Sequence, residues 1–410
     1  MAFSIKNREF CRAKLERKGI IMTYTLKNVS SANYVYHTHI SSQLGYTIAN
    51  ESNAVKRNLS FNRNNGEKWI YVNYPETFHD GLNCFANSNR GGRYLFQEVL
   101  NANQEVQLFF SHINHTSGNV NYCVQFFNPN GTTASITISN KGCKTGWDDA
   151  AMSAWNEFFD STPETLQIAP YGSVFPINMT NIENNKNLLS GNMRFTVHSR
   201  VIVTVYAWLG NDITVITGNE TQYPYNINES GIPNIDSDPA KKYTGVGDGY
   251  FITTSTSITN TNLAGNSIYF ELANVGSGNT NEIIPIVLSG ANYTASESAS
   301  HANLKNLGNW CAQYLFNITF QNTSTTSKTF RGYLGRNGTL GRFLINCSNT
   351  IVSDTMERTK SNDESTPAYD PYKWNWVDVT LAANETSTFS FQFIHATCGS
   401  SPIYMQWELV

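Results

Sequence analysis

The feature that most constrains this chain is a two-residue hydrophobic period that returns along most of its length. Successive side chains of an extended strand point to opposite faces, so period two with one apolar face marks a half-buried strand, not a helix. In 106–110, Val106, Leu108 and Phe110 share a face. In 316–321, Phe316, Ile318 and Phe320 oppose Asn317, Thr319 and Gln321; in 389–393, Phe389, Phe391 and Phe393 oppose Ser390 and Gln392. Turn residues stand between such stretches, as in Asn128-Pro129-Asn130-Gly131 and Asn337-Gly338. The pattern predicts an all-β protein of two antiparallel Ig-like or jelly-roll-like β-sandwich modules behind a short N-terminal arm. Helix content should stay under ~15%, far below the usual third.

Along the chain, residues 1–21 read as the arm, with a short basic helix over 5–18. A first sandwich module follows over 22–215. It contains one inserted helix at about 148–160, where Asp148-Asp149 caps Ala151, Met152, Trp155, Phe158 and Phe159 at helical spacing. That helix is expected to lie across an open end of the sandwich. Residues 216–245, with Gly218, Pro224, Gly231, Pro233 and Pro239, read as a junction to a second module over 246–410. Segments 122–138, 314–330 and 376–394 echo one another as strand, polar Asn turn, strand, and read as hairpins.

Composition narrows the function classes. Charged residues make only 14% of the 410, against a usual figure near 25%. Asn alone supplies about one residue in eight. Low charge with 13% aromatics excludes a disordered polyelectrolyte. A net charge of −3 makes no electrostatic case for nucleic acid or an anionic membrane. No apolar run reaches the ~18 residues of a membrane helix. The N-terminal text has no apolar h-region, so no cleaved secretory signal is expected. The seven cysteines are odd in number, so a free thiol or an intermolecular disulfide is expected; none lies in a Cys-x-x-Cys pair.

The chemistry-bearing groupings are thin. His37 and His39, and His112 and His115, are two pairs without a Cys, Asp or Glu at ligand spacing, and two ligands do not close a metal site. There is no Gly-x-Ser-x-Gly elbow. The expectation is therefore no enzyme, no cofactor and no metal. The run 369–376 places Tyr372, Trp374 and Trp376 as an aromatic platform, with both tryptophans on one face of a strand. In the arm, Cys11, Arg8, Arg12 and Lys14 are the expected contact with a second subunit.

A family resemblance comes with particular motifs: Gly92-Arg93, His112-Ile113-Asn114, Phe127-Asn128, then 249–256, 307–324 and 399–409. In these, residues 80–410 resemble an uncharacterised β-sandwich region of Gram-positive secreted and surface proteins. That region is often found beside a copper-amine-oxidase N-terminal-like domain. The copper in that name belongs to the companion domain, so the resemblance implies a sandwich fold and no copper chemistry.

Together these readings predict a structural, self-assembling subunit of an extracellular or spore-surface filament, appendage or layer, polymerising with itself by arm donation. The alternatives are a carbohydrate-binding or adhesive module for surface glycans, and a virion shell protein. Its place would be extracellular or at a spore or cell surface, without a recognisable signal peptide.

Overall fold

The computed structural model describes residues 12–17, 20–26, 47–63, 67–87, 92–146, 150–184, 187–210, 212–223, 244–273, 282, 286–287, 309–336, 340–347, 350–357, 373–396 and 402–410. Of the described residues, 60% lie in strands and 6% in helix, in several sheets with no closed barrel. The all-β sandwich expectation holds.

The chain folds as two compact units that are not consecutive stretches. One comprises 1–62, 251–282 and 312–410, and the other 63–250 and 283–311. The linear division at 216–245 is thereby replaced. Thr221–Gln222 and Thr244–Asp248, which flank that segment, both pair within the second unit, while residues 224–243 lie outside the described ones. The physical reason is strand pairing. Ile20–Leu26 joins Lys373–Leu381, and Ala54–Lys56 joins Ser267–Leu272, so the N-terminal text completes a sheet made by the C-terminal text.

In the second unit a four-stranded sheet, in the order Ser173–Ile182, Val120–Phe127, Val201–Leu209, Phe96–Leu100, packs on an eight-stranded one. The core between them takes Val120, Tyr122, Val124 and Phe126 from one sheet and Leu108, Phe110, Ile136 and Phe195 from the other. In the first unit the seven-stranded and six-stranded sheets meet through rings. Phe320 sits 4.8 Å from both Phe330 and Trp407, and Trp376 sits 4.8 Å from Phe391. Pairing is mostly antiparallel, but Lys68–Val72 runs parallel to Gln104–Asn114, and Phe251–Thr259 parallel to Gln313–Gln321. Gln104–Asn114 is buried on both faces, since Gln107 and Phe109 are as enclosed as Val106, Leu108 and Phe110. Its period-two text describes only one of its two cores.

The three echoing segments are not hairpins. Val120–Phe127 lies in the four-stranded sheet and Ala134–Gly146 in the eight-stranded one; Gln313–Gln321 and Lys328–Arg336 likewise lie in opposite sheets. Lys373–Leu381 and Thr386–His395 do the same. Each segment is an arch that crosses the sandwich, and the strands on either side find their partners elsewhere. A crossing interrupts the ladder and leaves backbone groups to satisfy in the interior. Three buried asparagines meet that demand in the same way, two in these arches and Asn114 in the crossing from Gln104–Asn114 to Val120–Phe127. Asn114, Asn128 and Asn322 each accept, through Oδ1, the backbone N–H two residues on, at 3.0, 2.9 and 3.0 Å. Each also donates from Nδ2 to the carbonyl four residues on, at 3.1, 2.8 and 2.8 Å. The remaining Nδ2 contacts tie the arch to a distant strand end, as Asn128 does with Ile168 and Ala169, both at 3.0 Å. This is an Asx turn with an added tertiary anchor. It accounts for part of the asparagine excess.

The inserted helix is observed at Ala150–Asp160, close to its predicted span. It does not close an end of the sandwich. It lies on the outer face of the eight-stranded sheet, where Gly142 leaves room: a Cβ there would come within 2.1 Å of the Ala154 carbonyl oxygen and 2.4 Å of the Phe158 nitrogen. Asn140 Nδ2 donates to the Phe158 carbonyl at 3.1 Å, and the Cys143 N–H donates to Glu157 at 2.8 Å.

The predicted basic helix is corrected too. Arg12–Arg17 is a strand, antiparallel to Ile20–Leu26 in the register Arg12↔Thr25 to Arg17↔Ile20. The β-branched run Ile20, Ile21, Thr23, Thr25 favours a strand. Among the described residues, no helix is long and apolar enough to cross a membrane.

Candidate functional site

The outward face of the second unit's four-stranded sheet carries a half-open cleft of about 470 Å³. Alternation builds it. On Val201–Leu209 the residues Val201, Val203, Val205 and Ala207 enter the core, which leaves Ile202, Thr204 and Tyr206 on the other face. Neighbouring strands add Gln97, Gln125, Phe127, Ser173 and Phe175 to the floor. One wall is the stretch 213–218, whose Ile213 and Ile216 pack with Phe175 against Tyr206 and Trp208.

The wall is fixed by two carboxylates outside the cleft. Asp212 Oδ1 accepts the Thr214 N–H at 2.9 Å, which holds its carboxyl below the usual range. Glu220 accepts the N–H groups of Thr217 and Gly218 at 2.6 and 2.8 Å, and Gly218 takes φ +79°, where a side chain would be strained. On the floor, Gln97 Nε2 donates to Thr204 Oγ1 at 3.1 Å and Gln125 Nε2 to Ser173 Oγ at 2.9 Å. Burial, with Glu220 and Cys123 adding to it, pushes the Tyr206 phenol above its ordinary pKa, so it stays a neutral hydroxyl.

The chemistry of this cleft is specific. Its lining combines the half-buried rings of Phe127 and Phe175 with carboxamides and hydroxyls, and no charged side chain lines it. Its volume falls in the range of small-ligand sites, which pair apolar walls with a few placed polar groups.

The residues singled out in the sequence fall elsewhere. Trp376 is fully buried, stacked on Phe389 at 6.0 Å and tilted against Phe391 at 4.8 Å. A bulge explains it. Gly332 pairs with Val377 and Tyr333 with Asn375, so Trp376 is the extra residue and turns inward together with Val377. Asn375 Nδ2 holds the bulge by donating to the Gly332 carbonyl at 2.9 Å. The predicted platform therefore loses one of its two tryptophans to the core. Trp374 lies in the same strand, with only its backbone described, and Tyr372 lies outside the described residues. Arg12 and Lys14 sit in the strand Arg12–Arg17, again with backbone alone described; Arg8 and Cys11 lie outside.

Of the histidine pairs, His37 and His39 lie outside the described residues. His112 is buried, stacked on Phe78 at 4.8 Å, with Nδ1 2.6 Å from the Pro75 carbonyl oxygen. Burial lowers its pKa to about 4, against the smaller opposing effect of that hydrogen bond. His115 faces the ring of His79 at 5.3 Å instead. Among the described residues no group of three or more His, Cys, Asp and Glu could hold a metal ion. No disulfide joins two of the described cysteines, and Cys123, Cys143 and Cys347 are free thiols whose pKa burial raises.

The sequence reading missed the cleft because its residues come from four separated strands and one loop. The one local signal was the polar-aromatic alternation of Gln125 with Phe127 and of Thr204 with Tyr206, which looks like any strand's solvent face.

No family profile and no curated protein matches the chain. Solved structures give only distant likenesses. Lac15 from a marine microbial metagenome is 11% identical, with a TM-score of 0.15 over 84% of this chain and 61% of that one. Fet3p, a multicopper oxidase that functions in iron import, is 9% identical, with a TM-score of 0.14 over 90% and 66%. A salicylate 1,2-dioxygenase mutant from Pseudoaminobacter salicylatoxidans reaches 6% and 0.09 over 73% and 68%. The chain spans less than two thirds of the length of the first two. Likeness this weak carries no argument about fold or activity, and none of it bears on the resemblance to Gram-positive surface proteins.

Proposed function

We propose that this chain is a non-enzymatic binding protein whose second unit holds a neutral oligosaccharide along the cleft. The observation that supports this is the lining itself: two half-buried phenylalanine rings among carboxamides and hydroxyls, without a charged side chain. A sugar presents apolar C–H faces to such rings and hydroxyls to Gln97, Gln125 and Thr204. An anionic or cationic ligand finds no counter-charge to offset its lost hydration. The test is calorimetric titration with neutral hexasaccharides. Wild type binds, and Phe175→Ala loses about tenfold in affinity, roughly 1.4 kcal/mol, in protein that still unfolds cooperatively. Absence of binding by wild type across glucan, xylan, mannan and chitin hexamers overturns the reading.

A second reading, a structural subunit that assembles with itself, is favoured by a separate observation. Strand Ile20–Leu26, second from the edge of the first unit's seven-stranded sheet, buries Met22, Tyr24 and Leu26, with Tyr24 5.1 Å from Phe389. Twenty residues, 27–46, separate it from the next described residue, Thr47. A strand near the chain terminus that completes a core is suited to exchange between copies, which builds open chains where the rotation does not close. Deleting residues 2–26, which removes the exchanged strand, should leave protein that no longer forms higher assemblies by sedimentation. Unchanged assembly would contradict this second reading.

A further inference from the structure

The two outer faces of the first unit differ in kind. The seven-stranded sheet shows ordinary charged pairs on its outer side: Arg331 donates to both oxygens of Asp378 at 2.8 and 3.1 Å, and Lys373 lies 2.7 Å from Glu51. The six-stranded sheet shows none over its three central strands, Phe251–Thr259, Gln313–Gln321 and Thr386–His395. Their registers align Ser255, Asn317 and Ser390 in one row and Ser257, Thr319 and Thr388 in the next. The outward positions 253–259, 315–321 and 386–392, in steps of two, hold Ser, Thr, Asn and Gln, with Leu315 as the single apolar residue. Meanwhile the inward positions Phe316, Ile318, Phe320, Phe389 and Phe391 are buried.

This face is also ordered side chain to side chain. Thr319 and Thr388 hydroxyls lie 2.9 Å apart, and Ser390 Oγ donates to Asn317 Oδ1 at 2.7 Å. Groups already held by one another lose little freedom on association, so contact with them costs less than contact with loose lysines would. Adjacent strands lie about 4.8 Å apart and successive outward residues about 6.8 Å apart along each strand, so donors and acceptors repeat on a lattice. The centres of protein–protein contacts are enriched in aromatic residues, and these outward positions hold none. Arg57 Nη1 donates to the Ser257 carbonyl at 3.1 Å beside these strands, but no charged side chain stands at the outward positions themselves. What fits is a partner whose own surface is uncharged and repeats hydroxyls.

We infer that this face of the first unit docks on the surface of a neutral polysaccharide, at a site separate from the cleft. The inference rests on the cleft reading only for the choice of polymer class. Its test uses particles of insoluble cellulose, xylan and chitin beside soluble hexasaccharides of the same sugars. The double variant Thr319→Lys/Ser390→Lys places two charges on the outward face, at half-buried Thr319 and exposed Ser390, and leaves the core residues unchanged. It should lose about fivefold or more of its retention on the particles, keep its melting temperature, and keep the hexasaccharide affinity of wild type. Thr319→Ser, which restores a hydroxyl, should be retained like wild type. Retention of the lysine variant equal to wild type, or no retention of wild type on any particle, overturns the inference while leaving the hexasaccharide result to judge the cleft. A lysine variant that loses self-association in sedimentation, yet stays on the particles, also overturns it and makes the face a contact between copies.

Discussion

Replacing Asn128 with alanine should destabilise the second unit by about 3 kcal/mol, far more than a turn residue in a hairpin would. Asn128 is fully buried and donates from Nδ2 to the carbonyls of Thr132, Ile168 and Ala169 at 2.8, 3.0 and 3.0 Å. Each hydrogen bond is worth on the order of 1 kcal/mol net, and each buried acceptor left without its donor costs at least as much. Nδ2 has two N–H groups to share among these carbonyls and Oδ1 accepts the Asn130 N–H at 2.9 Å, so loss of three hydrogen bonds sums to about 3 kcal/mol. Asn130, two residues on, donates to Asn128 Oδ1 and, at an exposed contact, to the Arg200 carbonyl, both at 2.8 Å; its alanine variant should cost under about 1 kcal/mol. Urea unfolding followed by circular dichroism measures both, and hydrogen exchange over 120–146 locates the loss. Asn322→Ala makes the parallel test in the first unit, where Nδ2 serves Thr326, Leu381 and Ala382 at 2.8, 3.3 and 2.7 Å. Equal, small effects of Asn128→Ala and Asn130→Ala would refute the arch-anchoring argument and return these segments to plain turns.

Other expectations follow from single contacts. His112 has a folded pKa near 4 against 6.5 unfolded, so protons favour the unfolded chain and stability is lost as pH falls from 6.5 towards 4. That shift is worth about 3 kcal/mol, and the stability gap between wild type and His112→Asn should close by about that amount between pH 7 and pH 4; parallel pH profiles would exclude it. Gly142→Ala meets helix backbone at 2.1 Å and should cost about 1–3 kcal/mol, read in melting temperature and in the near-ultraviolet signal of Trp155. Trp376→Ala opens a core cavity worth about 3–5 kcal/mol and should leave hexasaccharide affinity unchanged in whatever fraction folds.

The sequence made the sheets legible where one face is wet. Phe316, Ile318 and Phe320, and Phe389, Phe391 and Phe393, all enter the core as their alternation predicts. It misled where tertiary partners decide. Period two cannot tell a hairpin from an arch, since both read strand, turn, strand, and the difference is which distant strand each half pairs with. Nor does alternation survive a bulge, which is how Trp376 turns into the interior beside Val377. The N-terminal text looked helical because Lys and Arg suit helices, but Ile20, Ile21, Thr23 and Thr25 supply a strand for its pairing. The cleft was the least legible part. Its chemistry exists only once Gln97, Gln125, Phe175, Thr204 and Ile213 converge from separate stretches of chain.

The most direct test of the central claim is where a neutral oligosaccharide touches the molecule. In protein labelled at isoleucine methyls, titration with a hexasaccharide that binds should move the signals of Ile202, Ile213 and Ile216, which line the cleft, and leave Ile70 and Ile136 of the sandwich core in place. Saturable shifts confined to those three methyls are the predicted result; saturable shifts that spare all three would contradict the account.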